Sequence, residues 1–148
     1  MGTWIAQAQT PGLPDEVMGM LTCPDAIARW APIPFELVDF NDDRLHSGDA
    51  VRVCGMLAGR SLEFEVEIAE AEDGRLALAA DGPIHIDVEY VTRAVDRGSE
   101  VRARVEVSGR GVMGRVLARA TDALLAAGAL NSAVGRIAHE LQPAALTV

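Results

Sequence analysis

Residues 61–68 read SLEFEVEI. Leu62, Phe64, Val66 and Ile68 alternate with Glu63, Glu65 and Glu67. Successive side chains of an extended chain point to opposite faces, so the stretch predicts a strand with one apolar and one acidic side. Three carboxylates on one side invite a metal-binding or acid–base reading; they also suit the wet side of a sheet. The flanking segments favour the sheet. In AVRVCGML (50–57), Val51, Val53 and Leu57 oppose Arg52, Cys54 and Met56. In PIHIDVEY (83–90), Ile84, Ile86, Val88 and Tyr90 oppose His85, Asp87 and Glu89. In SEVRARVEV (99–107), Val101, Ala103, Val105 and Val107 oppose glutamates and arginines. Such alternation predicts a half-buried antiparallel sheet.

The turns agree. LAGR (57–60) predicts a two-residue loop, Ala58-Gly59 or Gly59-Arg60, and either register sets Arg52 opposite Glu65 or Glu67. EDGR (72–75) allows two hairpins. A three-residue loop with Gly74 in a left-handed bulge pairs Ile68 with Leu78 and keeps both inside. A plain Asp73-Gly74 turn sends Leu76 and Leu78 to the wet face, so the bulged loop is expected. DRGSE (96–100) closes the last hairpin, with Asp87 and Glu89 on the side of Arg102 and Arg104.

The earlier part is mixed. TWIAQAQT (3–10) predicts a first strand. PGLPDEV (11–17) opens a short helix, with Pro14 in its first turn and Asp15 and Glu16 at its positive end. CPDAIARW (23–30) starts a second, and APIPFELVDF (31–40) turns extended after two prolines. The chain ends in one long predicted helix, 111–141. Its apolar stripe is Val116, Ala120, Ala123, Ala127, Leu130, Val134, Ile137 and Leu141, at alternating spacings of 4 and 3. Met113, Leu117 and Leu124 widen it. Gly128 and Gly135 weaken it, with a bend near Gly128 optional. One apolar sheet face and one apolar helix stripe must cover each other. The expected architecture is α+β: a helix-grip fold, a curled antiparallel sheet wrapped around a long C-terminal helix, with two short helices after the first strand.

Composition bounds the function. The 148 residues are expected to form a single domain, 1–148, with 49% hydrophobic and 24% charged content. Aromatics make up only 4%, so Val, Leu, Ile, Ala and Met build the core. A net charge of −9 argues against nucleic acid or an anionic membrane as partner. MGTWIAQAQT lacks a signal-peptide pattern, and no stretch approaches the roughly 20 apolar residues of a membrane span, so a cytoplasmic protein is expected. Cys23 and Cys54 lack metal-ligand spacing and are expected as free thiols, although a disulfide is compatible with the sequence. A homodimer is also compatible with it. No nucleotide, P-loop, zinc-protease or serine-hydrolase motif occurs. His46, His85 and His139 are scattered, so no metal and no cofactor are expected. His139 suits a helix C-terminus.

The runs LTCPDAIARW (21–30), DRLHSGDAVRV (43–53), GMLAGRSLEFEVEI (55–68) and ATDALLAAGALNSAV (120–134) resemble the START and birch-pollen-allergen-like (SRPBCC) superfamily. They resemble most its bacterial polyketide cyclase/dehydrase and lipid-transport branch, and the layout is close to that of the carbon monoxide dehydrogenase assembly factors. The resemblance covers nearly the whole chain and concerns architecture rather than chemistry. It implies a deep apolar cavity between helix and sheet for a lipid, polyketide or similar small molecule. The alanines at the middle of the helix stripe agree with a void there.

Parity and the helix stripe nominate the ligand-binding wall. From the sheet come Val53, Leu57, Phe64, Val66, Leu78, Ile86 and Val88. The helix supplies Leu117, Leu124 and, at the stripe's edge, Thr121 and Asn131. Trp30 and Phe35 belong to the mouth, where Trp30 either plugs the core or covers a ligand. Tyr90 is the one polar group among the inward-facing strand residues, and either anchors a ligand or bonds to nearby backbone. With His46 and Asp39 it makes the candidate proton-transfer set for cyclisation or dehydration; both of the latter also suit a solvated turn. Two functions follow: a cyclase that works mainly by orienting a flexible chain, or a non-catalytic carrier of a hydrophobic metabolite. An assembly factor of the carbon monoxide dehydrogenase kind is the third, with Cys54 and Met56 on the outer face as its only sign.

Overall fold

The structure, a computed structural model, describes residues 2–31, 34–38, 40, 42–57 and 59–141. In chain order come β1 (Gly2–Thr10), α1 (Pro14–Thr22), α2 (Pro24–Trp30), β2 (Phe35–Val38), β3 (Ala50–Leu57) and β4 (Arg60–Glu72). There follow β5 (Arg75–Asp81), β6 (Ile84–Val95), β7 (Gly98–Gly109), α3 (Gly111–Ala126) and α4 (Ala129–Glu140). The strands form one antiparallel sheet in the order β1-β7-β6-β5-β4-β3-β2. It curls around the C-terminal helices, so the fold is the expected α+β helix grip.

Local chemistry explains the short helices. Pro14 and Pro24 stand in the first turns of α1 and α2, where a missing N–H costs nothing. Glu16 Oε1 accepts the Leu13 N–H at 3.0 Å, satisfying one donor at the start of α1.

The β3–β4 hairpin follows the alternation. Leu57 pairs with Arg60, Val53 with Phe64 and Arg52 with Glu65. The β6–β7 hairpin sets Glu89 opposite Arg104 and Asp87 opposite Glu106, with the charged residues on one face. The β4–β5 turn differs from expectation. Ile68 does pair with Leu78, but Glu72 pairs with Arg75 across a two-residue Asp73-Gly74 turn. Asp73 (φ 55°) and Gly74 (φ 78°) both take the left-handed conformation, which matches the twist of tight hairpins. The extra residue that keeps Leu78 inside sits within the strand, where the register shifts between Ile68 and Glu70.

The C-terminal helix differs more. Gly128 (φ 96°) separates α3 from α4, so the expected single helix is two. In α3 the buried residues are Gly114, Leu117, Ala118, Thr121 and Leu125. Val116 is 56% exposed, Ala123 and Ala127 are exposed, and Ala120 is half-buried. The expected stripe therefore faces outward over α3 and inward only over α4, through Leu130, Val134 and Ile137. Contact with the sheet sets this rotation. A Cβ on Gly109 would overlap the Gly114 carbonyl oxygen, so two glycines let the start of α3 meet the end of β7 backbone to backbone. An alanine-rich helix carries several faces with 3–4 spacing, and the closest approach selects among them.

Candidate functional site: an apolar cavity under the helices

A cavity of about 230 Å³ lies between the inner face of the sheet and the helices. Ile27 and Trp30 of α2 and Phe35 and Leu37 of β2 form one part of its wall. Val53, Phe64, Val66 and Leu78 contribute from β3, β4 and β5, and Ile86, Val88 and Tyr90 from β6. Thr121 and Leu125 of α3 complete it. None of the described side chains lining it is charged. The period of two that makes the strands thus also makes the wall.

Its few polar atoms are mostly spoken for. Trp30 Nε1 donates to the Met20 carbonyl at 2.7 Å, and the Thr121 hydroxyl donates to the Leu117 carbonyl at 2.9 Å. Both bonds stay within the protein, as buried donors require. The Trp30 and Tyr90 rings pack at 5.0 Å between centroids with a 56° tilt. Trp30 is 3% exposed and Tyr90 2%, so Trp30 is at once core and cavity wall. Among the described residues the Tyr90 hydroxyl has no hydrogen-bond partner.

Burial pushes the Tyr90 phenol well above its ordinary value of 10.0. The folded chain therefore holds this proton at a pH where the unfolded chain releases it. The associated stability is fully present below about pH 10 and is lost as pH rises toward the folded-state value. Tyr90 is the only tyrosine, so phenolate absorbance reports it alone. The expected result is no phenolate signal in the native protein at about pH 11, and its appearance together with unfolding at higher pH. Half-ionisation near pH 10 with the fold intact would show that the ring is not buried.

The nominated residues separate. Trp30, Phe35, Val53, Phe64, Val66 and Leu78 line the cavity, as do Ile86, Val88 and Tyr90. Leu117 is buried but belongs to the core rather than the cavity wall. Leu124 is 36% exposed and Asn131 is exposed, so neither reaches the cavity. Both belong to the expected stripe, which the rotation of α3 and the break at Gly128 displace. Leu125 takes the place expected of Leu124; its spacing of four from Thr121 and eight from Leu117 was the available signal. The void is present, but the alanine seam does not form it, because that seam faces outward over α3.

His46 does not reach the cavity. It sits exposed in the turn before β3, with Nδ1 3.5 Å from Asp42 and 3.8 Å from Asp49. Its backbone N–H donates to Asp49 Oδ2 at 2.8 Å. Asp39 and the side chain of Leu57 lie outside the described residues. His46 therefore stands apart from Tyr90, and the two do not form a proton-transfer pair.

The outer sheet face holds a wider depression of about 660 Å³, flanked by Arg52, Glu65, Glu67, Asp81 and His85. Some of the charges nearby are paired: Arg52 Nε of β3 is 3.0 Å from Glu63 of β4, and His85 of β6 lies 3.6 Å from Asp81 of β5 and 3.1 Å from Asp87 on its own strand. Such exposed pairs contribute a few tenths to about 1 kcal/mol each. Among the described residues, no group of three His, Cys, Asp or Glu is placed to hold a metal ion. Cys23 and Cys54 are free thiols. Among the described residues no helix is long and apolar enough to cross a membrane.

A curled antiparallel sheet, a divided C-terminal helix and an apolar cavity between them define a helix-grip fold. Solved structures share this architecture. Protein CV1439 from Chromobacterium violaceum is similar at 12% identity and a TM-score of 0.70, covering 97% of this chain and 99% of that one. DynU16, a protein in the dynemicin biosynthetic locus, is similar at 22% identity and a TM-score of 0.60, covering 94% of this chain and 46% of that one. Ara h 8.0201 is similar at 16% identity and a TM-score of 0.57, covering 92% and 97%. No protein-family profile matches the sequence, and no curated protein matches it.

Proposed function

We propose that this chain binds a hydrophobic small molecule in the cavity between sheet and helices. One observation carries the reading: a cavity of about 230 Å³ between sheet and helices whose described lining side chains are all uncharged and almost all apolar. A void of that size forfeits packing contacts that a guest would restore. Apolar walls with few placed polar groups are the usual form of a small-molecule site. The birch-pollen-allergen-like fold supports a hydrophobic guest, and the similarity to DynU16, from a biosynthetic locus, supports a small metabolite.

Binding is favoured over cyclisation or dehydration. Among the described residues the cavity wall has no carboxylate or imidazole, and the buried phenol is held protonated, which makes it a poor base. Any catalysis here would rest on holding a reactive conformation alone. A second reading, a partner in an assembly, draws on the outward face of α3, where Val112 is 83%, Met113 54% and Val116 56% exposed.

The test is to purify the protein from its own host, extract it with organic solvent and identify the extract by mass spectrometry. A hydrophobic compound at near-stoichiometric amount supports the proposal. A clean extract from a protein that also fails to bind naphthalene in titration removes it. Glu65→Ala on the outer face serves as control: ligand affinity is expected to be unchanged, and stability to shift by less than about 0.5 kcal/mol. Loss of binding in Glu65→Ala would reverse the assignment of inside and outside.

A further inference from the structure

Resting on the binding reading above, we infer that the cavity selects a compact, neutral ligand carrying one hydroxyl or carbonyl group, which hydrogen-bonds to the Tyr90 hydroxyl. The Trp30 indole N–H and the Thr121 hydroxyl are both committed to backbone carbonyls. The Tyr90 hydroxyl, on a side chain 2% exposed in the cavity wall, has no partner among the described residues. Among the described residues the one fully enclosed side-chain polar atom without a partner is Thr92 Oγ1; the Tyr90 hydroxyl is open to the apolar cavity, where lacking a partner is costly. A ligand oxygen is the partner the cavity admits, and the phenol serves it as donor or acceptor.

Charge is excluded as well. None of the described side chains lining the cavity is cationic. Arg136, beside the C-terminal end of α2, donates to the carbonyls of Trp30 at 3.2 Å and Ala31 at 3.1 Å. A carboxylate inside would therefore lose its hydration without a counter-ion. Volume limits size. A dry cavity of about 150 Å³ accepts benzene. By proportion, about 230 Å³ accepts a molecule of roughly ten heavy atoms. A long acyl chain or a full polyketide would have to extend out through the open side of the cavity.

The test uses naphthalene, 1-naphthol, 1-naphthoate and 1-hydroxypyrene, with protein injected into ligand in a titration calorimeter. The variant is Tyr90→Phe, which removes one oxygen and keeps the ring. In the wild type 1-naphthol is expected to bind about five- to tenfold tighter than naphthalene, the worth of one hydrogen bond. In Tyr90→Phe that advantage disappears while naphthalene affinity is kept. 1-Naphthoate is expected to bind about 100-fold weaker than 1-naphthol, and 1-hydroxypyrene at least about tenfold weaker because it overfills the space. Equal wild-type affinities for naphthalene and 1-naphthol, or an advantage that survives in Tyr90→Phe, would overturn the anchor and leave the cavity reading standing. Tight naphthoate binding would overturn the neutrality requirement, and tight hydroxypyrene binding the size limit. Failure of all four to bind the wild type would overturn both inferences together.

Discussion

Trp30→Ala is expected to unfold with about 3–5 kcal/mol less free energy than the wild type. The indole is 3% exposed, packs on Tyr90 at 5.0 Å and donates to the Met20 carbonyl at 2.7 Å. Its removal takes away a large apolar surface, enlarges an existing void and leaves a buried carbonyl without its donor. None of these losses is repaired by collapse, because the sheet on one side and α1 on the other are held by their own contacts. Urea denaturation should show a lower midpoint at an unchanged slope, the sign of lost stability without a changed unfolded state. A loss below about 1 kcal/mol would mean that Trp30 lies over the mouth as a mobile cover and not in the packed core.

Gly98→Ala is the second large effect, and its cause is steric. Gly98 (φ 144°) opens β7 directly beneath the end of β1. A Cβ there would overlap the Thr10 carbonyl oxygen and stand 2.7 Å from Pro11 Cα. Both are backbone atoms, so no rotamer change relieves the clash. The β1–β7 pairing of Thr10 with Ser99 and the buried bond from Ser99 Oγ to the Gly12 carbonyl at 2.8 Å would be displaced. A loss of about 3 kcal/mol is expected. At about 2–4 °C per kcal/mol for a chain of this size, the melting temperature should fall by about 6–12 °C. Gly59→Ala separates the clash from backbone strain. Gly59 also has positive φ, 74°, but nothing lies within 4 Å of its added Cβ. It should lose only about 1–2 kcal/mol. Equal losses in the two variants would show that the conformation, and not the contact with Thr10, sets the cost.

The sheet was legible in the sequence because its signal is local. Each strand declares its faces through a period of two, and one buried face tolerates no slip by a single residue. Hence SLEFEVEI placed Phe64 and Val66 on the cavity side and Arg52 opposite Glu65 or Glu67; the structure pairs Arg52 with Glu65 and adds an ion pair to Glu63. The β4–β5 hairpin shows the same constraint in another form. The pairing of Ile68 with Leu78 survives although the turn is not the expected one, because burial sets the pairing and the chain moves its spare residue from the loop into the strand. The C-terminal helix was less legible. Its stripe passes through alanines that suit either face, and its rotation follows from the contact between Gly109 and Gly114, far from any periodicity within the helix. For that reason Leu124 and Asn131 fall outside the cavity, and Leu125, which the stripe omits, falls inside it.

Alternation of apolar and charged residues, prolines at helix starts and turn residues between strands were enough, read alone, to determine the strands, the short helices, the helix-grip architecture and the apolar wall of the sheet. These are near-neighbour effects, set by which side chains share a face. Only the tertiary structure decided the rotation of α3, the division at Gly128, the distance of His46 from the cavity and the isolation of the Tyr90 hydroxyl. Each of these depends on groups brought together from distant parts of the chain. The glutamates of SLEFEVEI are the solvated side of the sheet; the apolar residues between them are where a ligand would touch.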